Sequence, residues 1–414
     1  MEKTILVTVD LGAKGRWVTE DASQELRELA RSAGVRVEEE IICHRDKISP
    51  AYFIGKGKAE ELAFICKEEG LGAIIFNNDL SGTQQKNLEE IIGVKTVDRT
   101  QLILDIFARR ARSNEGKIQV ELAQLLYLRP RLTGKGVILS RLGGGIGTSG
   151  PGEKKLEVER RRIHQRITKL KNDLTRLTAQ RKMRQKARAK IPVPSIAIIG
   201  YTNAGKSTLL NALTRSKVFA GDRLFSTLDP TIRQFVLPTN QRVIFVDTVG
   251  FLHNLPHHLI ESFKATLEEV VDADVLLHIL DVTHPNVEQQ SEAVYDVLGE
   301  LNSRNKPIIT ALNKIDKVDE AVLLRFKRLF DNAVAISALH MQNFEELIDR
   351  IVLQLSALVD VVEFKIPQAR MDLLTMIYEH GRVLSKNYSR DLVIIRAQVP
   401  IKVREKIKKA LDKD

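Results

Sequence analysis

Between residues 1 and about 112, short apolar runs alternate with helical patterns: ILVTV, EDASQELRELARSAG, VRVEEEII, KAEELAFICKEEG, AIIF, TQQKNLEEIIG and VKTVD. Such alternation predicts a small α/β domain with a mostly parallel sheet. Gly34, Gly70 and Gly93 stand where left-handed caps would close its helices. From 99 to 128 the pattern predicts one helix, with Leu102, Ile106, Leu122, Leu125 and Leu126 at helical spacing. A second helix from about 153 carries Leu156, Ile163, Ile167, Leu170, Leu174 and Leu177 at steps of seven, four, three, four and three. That is a coiled-coil seam, and it predicts antiparallel pairing with the first helix. About 35 residues at a rise of about 1.5 Å each give an arm roughly 50 Å long.

Pro192 and Pro194 in IPVPS end that helix and predict a stiff linker. Beyond it, apolar strands at 195–199, 232–237, 242–247, 275–280, 307–312 and 333–336 interleave with helical segments. This spacing predicts a doubly wound, mostly parallel sheet with one antiparallel edge, its ligand loops at the strand C-terminal ends. A strand (VEFKI), a helix (372–385), a strand (DLVIIRAQV) and a basic helix (401–411) predict a small α+β domain at the end. The expected divisions are 1–112, a helical hairpin over 113–190 with its tip at about 129–152, 191–357, and 358–414.

A chain of 414 residues fits this multidomain plan. Its 64 Lys and Arg against 53 Asp and Glu leave a formal charge of +11, and residues 151 to 190, with fifteen bases and four acids, account for all of it. A helix this basic suits a polyanion. The stretch RPRLTGKGVILSRLGGGIGTSGPG holds eight glycines between Leu132 and Gly152, with Arg129, Arg131, Lys135 and Arg141 among them. It reads either as a flexible connector or as an RNA contact, since glycine lets backbone approach nucleic acid and arginine binds phosphate and stacks on bases. The neighbouring basic helix, with Arg160, Arg161 and Arg162, favours RNA. No apolar run reaches the ~18 residues of a membrane helix, and MEKTILVTVD lacks a signal-peptide pattern, so a cytoplasmic protein without stable membrane insertion is expected. Cys43 and Cys66 have no zinc-type spacing and are expected to be reduced packing residues.

SIAIIGYTNAGKSTLLNAL is a buried strand, a loop matching G-x-x-x-x-G-K-[ST], and a helix. Backbone N–H groups of Gly200, Tyr201, Thr202, Asn203, Ala204 and Gly205 would turn inward around a β-phosphate, with Thr208 in the following turn. Lys206 would bridge the β- and γ-phosphates and Ser207 would coordinate Mg2+. In VIFVDTVGF, Asp247 would hold the metal through water, Thr248 and Val249 line the site, and Gly250 offers its N–H to the γ-phosphate. LFSTLDPTIR, with Phe225, Ser226, Thr227, Leu228 and Asp229, supplies a switch threonine to complete the metal shell: Thr227, with Thr231 as the alternative. In NKID, the Asp316 carboxylate would accept from guanine N1–H and N2–H2, flanked by Lys314 and Ile315, while Asn313 braces the loop. Adenine, with an acceptor at N1, is rejected. The AISAL segment puts N–H groups of Ser337, Ala338 and Leu339 near guanine O6. Together these predict a P-loop GTPase domain that binds GTP or GDP.

The expected catalytic group is Lys206, Asn203, Thr227 and Gly250. Phe251 follows D-T-V-G where a water-orienting glutamine would be useful. Asn203 is a candidate K+ ligand that could neutralise transition-state charge, or else a loop residue satisfying its own backbone. Slow basal hydrolysis accelerated by a large partner is expected. His253, His257 and His258 suggest no metal site, because no carboxylate or thiol completes a shell. GKGK at 55–58 reads as a phosphate site at a helix start or as a turn.

GYTNAGKST, FSTLDPT, DTVGF, NKID and SAL, preceded by YFIGKGKAEEL, VDRTQLILDIFARRARSNEGKIQVELAQL and RLGGGIGTSGPGEKKLEVERRRI, closely resemble the HflX family of translation-factor-related GTPases over about 1 to 357. The resemblance implies binding to the large ribosomal subunit and its rRNA, with the hairpin loop reaching toward the peptidyl-transferase region; a monomer is expected. It also implies GTPase stimulation by ribosomes and separation of stalled or idle ribosomes, often under stress. ATP hydrolysis by the N-terminal domain belongs to the same family picture, but no motif in 1–112 supports it. Two other readings stand beside this one. One is an RNA-binding GTPase of ribosome assembly or RNA maturation; the other is a nucleotide-gated scaffold whose basic arm docks a protein or an acidic membrane surface.

Overall fold

The structure, a computed structural model, describes residues 3–12, 19–131, 151–188, 193–214, 224–225, 227–252, 256, 259, 262–356, 359–389 and 391–412. The chain forms two compact units. The first comprises Met1–Leu177 with Gly221–Asp229 and Asn254–Lys264, and the second Thr178–Ala220, Pro230–His253 and Ala265–Asp414.

In the first unit β1 (Lys3–Asp10), β2 (Arg36–His44), β3 (Ala73–Phe76) and β4 (Lys95–Asp98) form a parallel sheet in the order β2-β1-β3-β4. The crossovers are α1 (Thr19–Ser32), α2 (Lys56–Glu68) and α3 (Gly82–Ile92). Ile5, Val7, Ile74 and Phe76 are buried against Leu62 and Leu88, as a parallel sheet covered by helices requires. Gly34, Gly70 and Gly93 take the left-handed conformation expected of them, with φ of 74°, 60° and 79°. At the GKGK helix start, Lys56 pairs with Glu60 and Lys58 with Glu61, so both ammonium groups serve their own helix. Cys43 and Cys66 are buried free thiols, and burial pushes both above the usual thiol range.

The single helix expected over 99–128 is two: α4 (Arg99–Arg110) and α5 (Asn114–Arg131). Ala111 leaves the helical region (ψ 113°), and Ser113 starts afresh, its Oγ accepting the Gly116 N–H at 2.8 Å. The long α6 (Pro151–Arg188) spans 38 residues. Its Ile167, Leu170 and Leu174 are buried with Leu122 of α5, flanked by Ile118, Leu125, Leu126 and Ile163. Arg166 makes a two-pronged ion pair with Glu121 of α5, at 2.6 and 2.8 Å.

In the second unit β5 (Ser195–Gly200), β6 (Thr231–Val236), β7 (Arg242–Asp247), β8 (Val275–Asp281), β9 (Ile308–Asn313) and β10 (Ala333–Ala335) run in the order β10-β9-β8-β5-β7-β6. The β6–β7 pair is antiparallel and the others parallel, so the α/β class and the one antiparallel edge are as expected. Among the described residues, the helices that accompany it are α7 (Lys206–Thr214), α8 (Lys264–Asp272), α9 (Val287–Glu300), α10 (Glu320–Leu329) and α11 (Phe344–Ser356).

The chain closes with β11 (Val359–Pro367), α12 (Met371–His380), β12 (Arg382–Ser389), β13 (Leu392–Pro400) and α13 (Ile401–Leu411), its antiparallel sheet ordered β11-β13-β12. The helix expected over 372–385 stops at His380. Gly381 turns extended there, and a Cβ on it would lie 2.6 Å from Val399 Cγ1, so close packing on β13 sets the stop and RVLSKNYS becomes a strand. Among the described residues no helix is long and apolar enough to cross a membrane.

Candidate nucleotide-binding site

β5 ends at Gly200 and α7 begins at Lys206, so the loop between them sits at the C-terminal edge of the central strand. Asn203 and Gly205 have φ of 63° and 99°. Asparagine tolerates the first value; the second favours glycine, and at 205 space excludes anything larger, since a Cβ would lie 2.3 Å from Asn313 Nδ2. Lys206 is buried and donates to the carbonyls of Gly200 (3.1 Å) and Tyr201 (2.7 Å), which lays its ammonium along the loop. Burial pushes its pKa down to about 8, and Asp247 offsets part of that.

Asp247 ends β7 and is wholly buried; its Oδ2 accepts from Ser207 Oγ at 2.6 Å. A hydroxyl and a carboxylate joined at the end of a P-loop suit a hard divalent cation such as Mg2+. Thr248 donates its hydroxyl to the Ile198 carbonyl at 2.7 Å, so that side chain anchors the strand. Phe251 is buried and forms a parallel bridge with Tyr201: Thr202 N–H donates to the Phe251 carbonyl and Phe251 N–H to that of Gly200. Gly250 precedes Phe251, and a Cβ there would lie 2.9 Å from Thr202 Cα. The residue after the D-T-V-G motif is thus locked into the sheet edge and offers no polar side chain.

Asn313, buried at the end of β9, uses both ends of its amide. Nδ2 donates to the Ala204 carbonyl (2.8 Å) and Oδ1 accepts from Ala338 N–H (2.9 Å), which ties the phosphate loop to the AISAL loop. Ser337 Oγ donates to Asp316 Oδ1 at 2.6 Å, and this bond holds the carboxyl below the usual carboxylate range. Lys314 pairs with Asp281 at the end of β8, Ile315 opens a short 3-10 turn, and Leu339 is exposed. Lys206, Ser207, Asp247, Asn313, Asp316 and Ser337 all belong to the second unit.

The switch segment does not share their unit. Phe225, Thr227, Leu228 and Asp229 belong to the first, where all but Asp229 are buried. Phe225 meets Phe107 of α4 edge-on, with ring centres 4.6 Å apart, and Asp229 accepts from the N–H groups of Arg112 (3.0 Å) and Ser113 (2.8 Å). Here Phe225 packs on α4 and Asp229 caps the start of α5. Thr231, the alternative switch threonine, opens β6 and pairs in register with Asp247. Ser226 and the three histidines lie outside the described residues.

One buried group went unnoticed in the sequence. His278 of β8 sits beside Ile199 and Thr310, with the Tyr295 ring edge-on at 5.6 Å, and its Nε2 has no hydrogen-bond partner among the described residues. Burial, with the Lys206 charge adding to it, pushes its pKa down to about 3, so the ring is neutral beneath the loop. A histidine inside the apolar run VLLHILD was the available signal.

Of the expected RNA contacts, Arg129, Arg160, Arg161 and Arg162 are exposed, and Lys135 and Arg141 lie outside the described residues. Arg131 is committed internally. Its guanidinium lies 3.4 Å over the Tyr127 ring and donates to Asp98 (2.8 Å) and to the Leu80 carbonyl (2.6 Å). Asp98 is fully buried, and burial raises its pKa.

Three family profiles match consecutive stretches: GTP-binding GTPase N-terminal over residues 20–108, GTP-binding GTPase Middle Region over 110–188, and 50S ribosome-binding GTPase over 195–314. GTPase HflX of Caldanaerobacter subterraneus subsp. tengcongensis is 44% identical over 408 residues, covering 98% of this chain and 93% of its own. GTPase HflX of Lacrimispora saccharolytica is 44% identical over 402 residues, covering 96% and 94%. Among solved structures, a GTP-binding protein from the hyperthermophilic archaeon Sulfolobus solfataricus in complex with GDP covers 86% of this chain and 100% of its own, at 24% identity and a TM-score of 0.46.

Proposed function

Because the chain belongs to the HflX family of GTPases and is a GTP-hydrolysing enzyme, we propose that it binds the large ribosomal subunit through its basic helical hairpin and separates stalled or idle ribosomes, with ribosomes stimulating its turnover. One observation carries this reading: among its described side chains α6 buries a short apolar seam and displays Arg160, Arg161 and Arg162 to solvent, in the same chain as a phosphate loop. Exposed arginines fanned around a long helix suit a phosphate backbone better than a protein core. The family description 50S ribosome-binding GTPase over residues 195–314 agrees with it.

In this reading Asp316, held by Ser337, accepts from guanine N1–H and N2–H2, and Asn313 keeps the base loop and the phosphate loop in one arrangement. Lys206 neutralises charge between the β- and γ-phosphates, and Gly250 N–H meets the γ-phosphate. Ser207 and Asp247, the latter through water, would hold Mg2+, which would supply further neutralisation of the phosphates; Thr227 is the switch threonine of this reading. Asn203 is the residue available to a K+ ion. With Phe251 buried, no side chain at that position orients water, and basal turnover is slow. The setting proposed is the cytoplasm, with the protein acting as a monomer.

Gradient sedimentation tests the reading. GTP or a non-hydrolysable analogue plus the protein should lower the fraction of joined ribosomes. An unchanged profile, with ribosomes still stimulating turnover, would favour a role in ribosome assembly or RNA maturation. No stimulation and little RNA binding would leave a nucleotide-gated scaffold.

A further inference from the structure

The segment 224–229 is fastened to the first unit at both ends. Leu224 N–H donates to Ser32 Oγ at 3.0 Å, and the ring of Phe225 packs edge-on against Phe107. At the other end the Asp229 carboxylate receives Arg112 N–H, Ser113 N–H and the Ser113 hydroxyl. Ser113 in turn accepts Gly116 N–H, so Asp229 completes the N-terminal cap of α5 from far along the chain. Phe263, from the segment that follows the D-T-V-G motif, meets the same Phe107 ring at 4.8 Å. Thr227 lies between the two fastenings, buried, two residues from Asp229.

We propose that Asp229 is a positioning residue for GTP hydrolysis: by capping α5, the first helix of the basic hairpin, it sets where the switch segment holds Thr227. The proposal rests on the reading of Thr227 as the switch threonine. Coupling of this kind is reciprocal. A nucleotide that reorders the switch segment loads or unloads the α5 cap, and a partner that moves the hairpin shifts Thr227. Glycine at 116 belongs to the device, because a Cβ there would lie 2.4 Å from Asp229 Oδ1.

Full-length wild type, Asp229→Ala, Asp229→Asn, Gly116→Ala, the Ala double variant and Thr227→Ala are compared for kcat, KM for GTP and Tm. Asp229→Ala should lower kcat about five- to tenfold, the size of a lost helix cap, with KM within about twofold. Asp229→Asn, which keeps one acceptor, should recover part of the loss. Gly116→Ala improves helix propensity, so it should lower kcat similarly while Tm stays at or above wild type. The double variant should fall no further than either single, since both break one contact. Amide exchange at Arg112 and Ser113 should differ between GTP-analogue and GDP states in wild type and not in Asp229→Ala. Normal kcat in Asp229→Ala or Gly116→Ala beside an impaired Thr227→Ala overturns the proposal alone. So does a raised KM in Asp229→Ala, or nucleotide-independent exchange in wild type. Normal kcat in Thr227→Ala removes the reading beneath it.

Discussion

Replacing Asn313 with alanine should break the nucleotide site without touching a phosphate ligand. The amide joins two loops: it donates to the Ala204 carbonyl at 2.8 Å and accepts from Ala338 N–H at 2.9 Å, at a position only 2% exposed. Alanine leaves both backbone partners buried and unpaired, at about 1–3 kcal/mol each. If both loops must be formed to bind, the lower end of the combined ~2–6 kcal/mol already weakens GDP binding about thirtyfold, at ~1.4 kcal/mol per decade. Asn313→Asp discriminates further. It keeps an acceptor for Ala338 and loses the donor to Ala204, so its affinity should fall between wild type and alanine. Equilibrium titration with a fluorescent GDP analogue measures both, with thermal melts to check folding. Affinities within threefold of wild type for both variants would refute the argument that this side chain joins the two loops.

Lys206 loses its proton near pH 8 in the nucleotide-free protein, and phosphate binding needs the ammonium. GDP affinity should therefore weaken about fourfold from pH 7 to 8.5 in wild type and stay flat in Lys206→Arg; a flat wild-type profile counts against a depressed lysine. The sign for stability is the reverse of an ordinary ion-paired lysine: burial disfavours the charged form, so the nucleotide-free fold gains stability as pH rises from about 8 toward the unfolded value of 10.5. Arg131→Ala leaves Asp98 buried without its counter-charge and should cost about 3–5 kcal/mol in thermal unfolding, with RNA affinity of the folded protein unchanged. A wild-type Tm would contradict the dependence of buried Asp98 on this guanidinium. Alanine at Arg160, Arg161 and Arg162 together should flatten the dependence of log K on log salt for large-subunit binding by about 2 to 3, at ~0.7–0.9 per lost phosphate contact. An unaltered slope would place the RNA elsewhere.

The parallel strands of both sheets were legible in the sequence, because strands buried on two faces are written as unbroken apolar runs such as AIIF and SIAIIG. The phosphate loop and NKID were legible for a related reason: each is a continuous stretch. What was not legible depends on residues far apart in the chain. The break between α4 and α5 is fixed by a cap completed from Asp229, and the end of α12 by packing of Gly381 on Val399. The ion pair of Arg131 with Asp98 and the contact of Asp229 with Ser113 likewise join residues far apart in sequence, which no local pattern announces. His278 shows the same limit: an apolar strand pattern does not reveal which phosphate-loop charge lies above it.

The most direct test is GTP turnover with and without purified large ribosomal subunits, for wild type, for Lys206→Ala, and for protein in which a short neutral linker replaces residues 133–150. Large subunits should raise wild-type turnover at least tenfold, leave Lys206→Ala inactive, and fail to stimulate the loop-replaced protein, whose basal rate stays near wild type. Stimulation of the loop-replaced protein equal to that of wild type would contradict the central claim, that a basic hairpin links the guanine-nucleotide site to the ribosome.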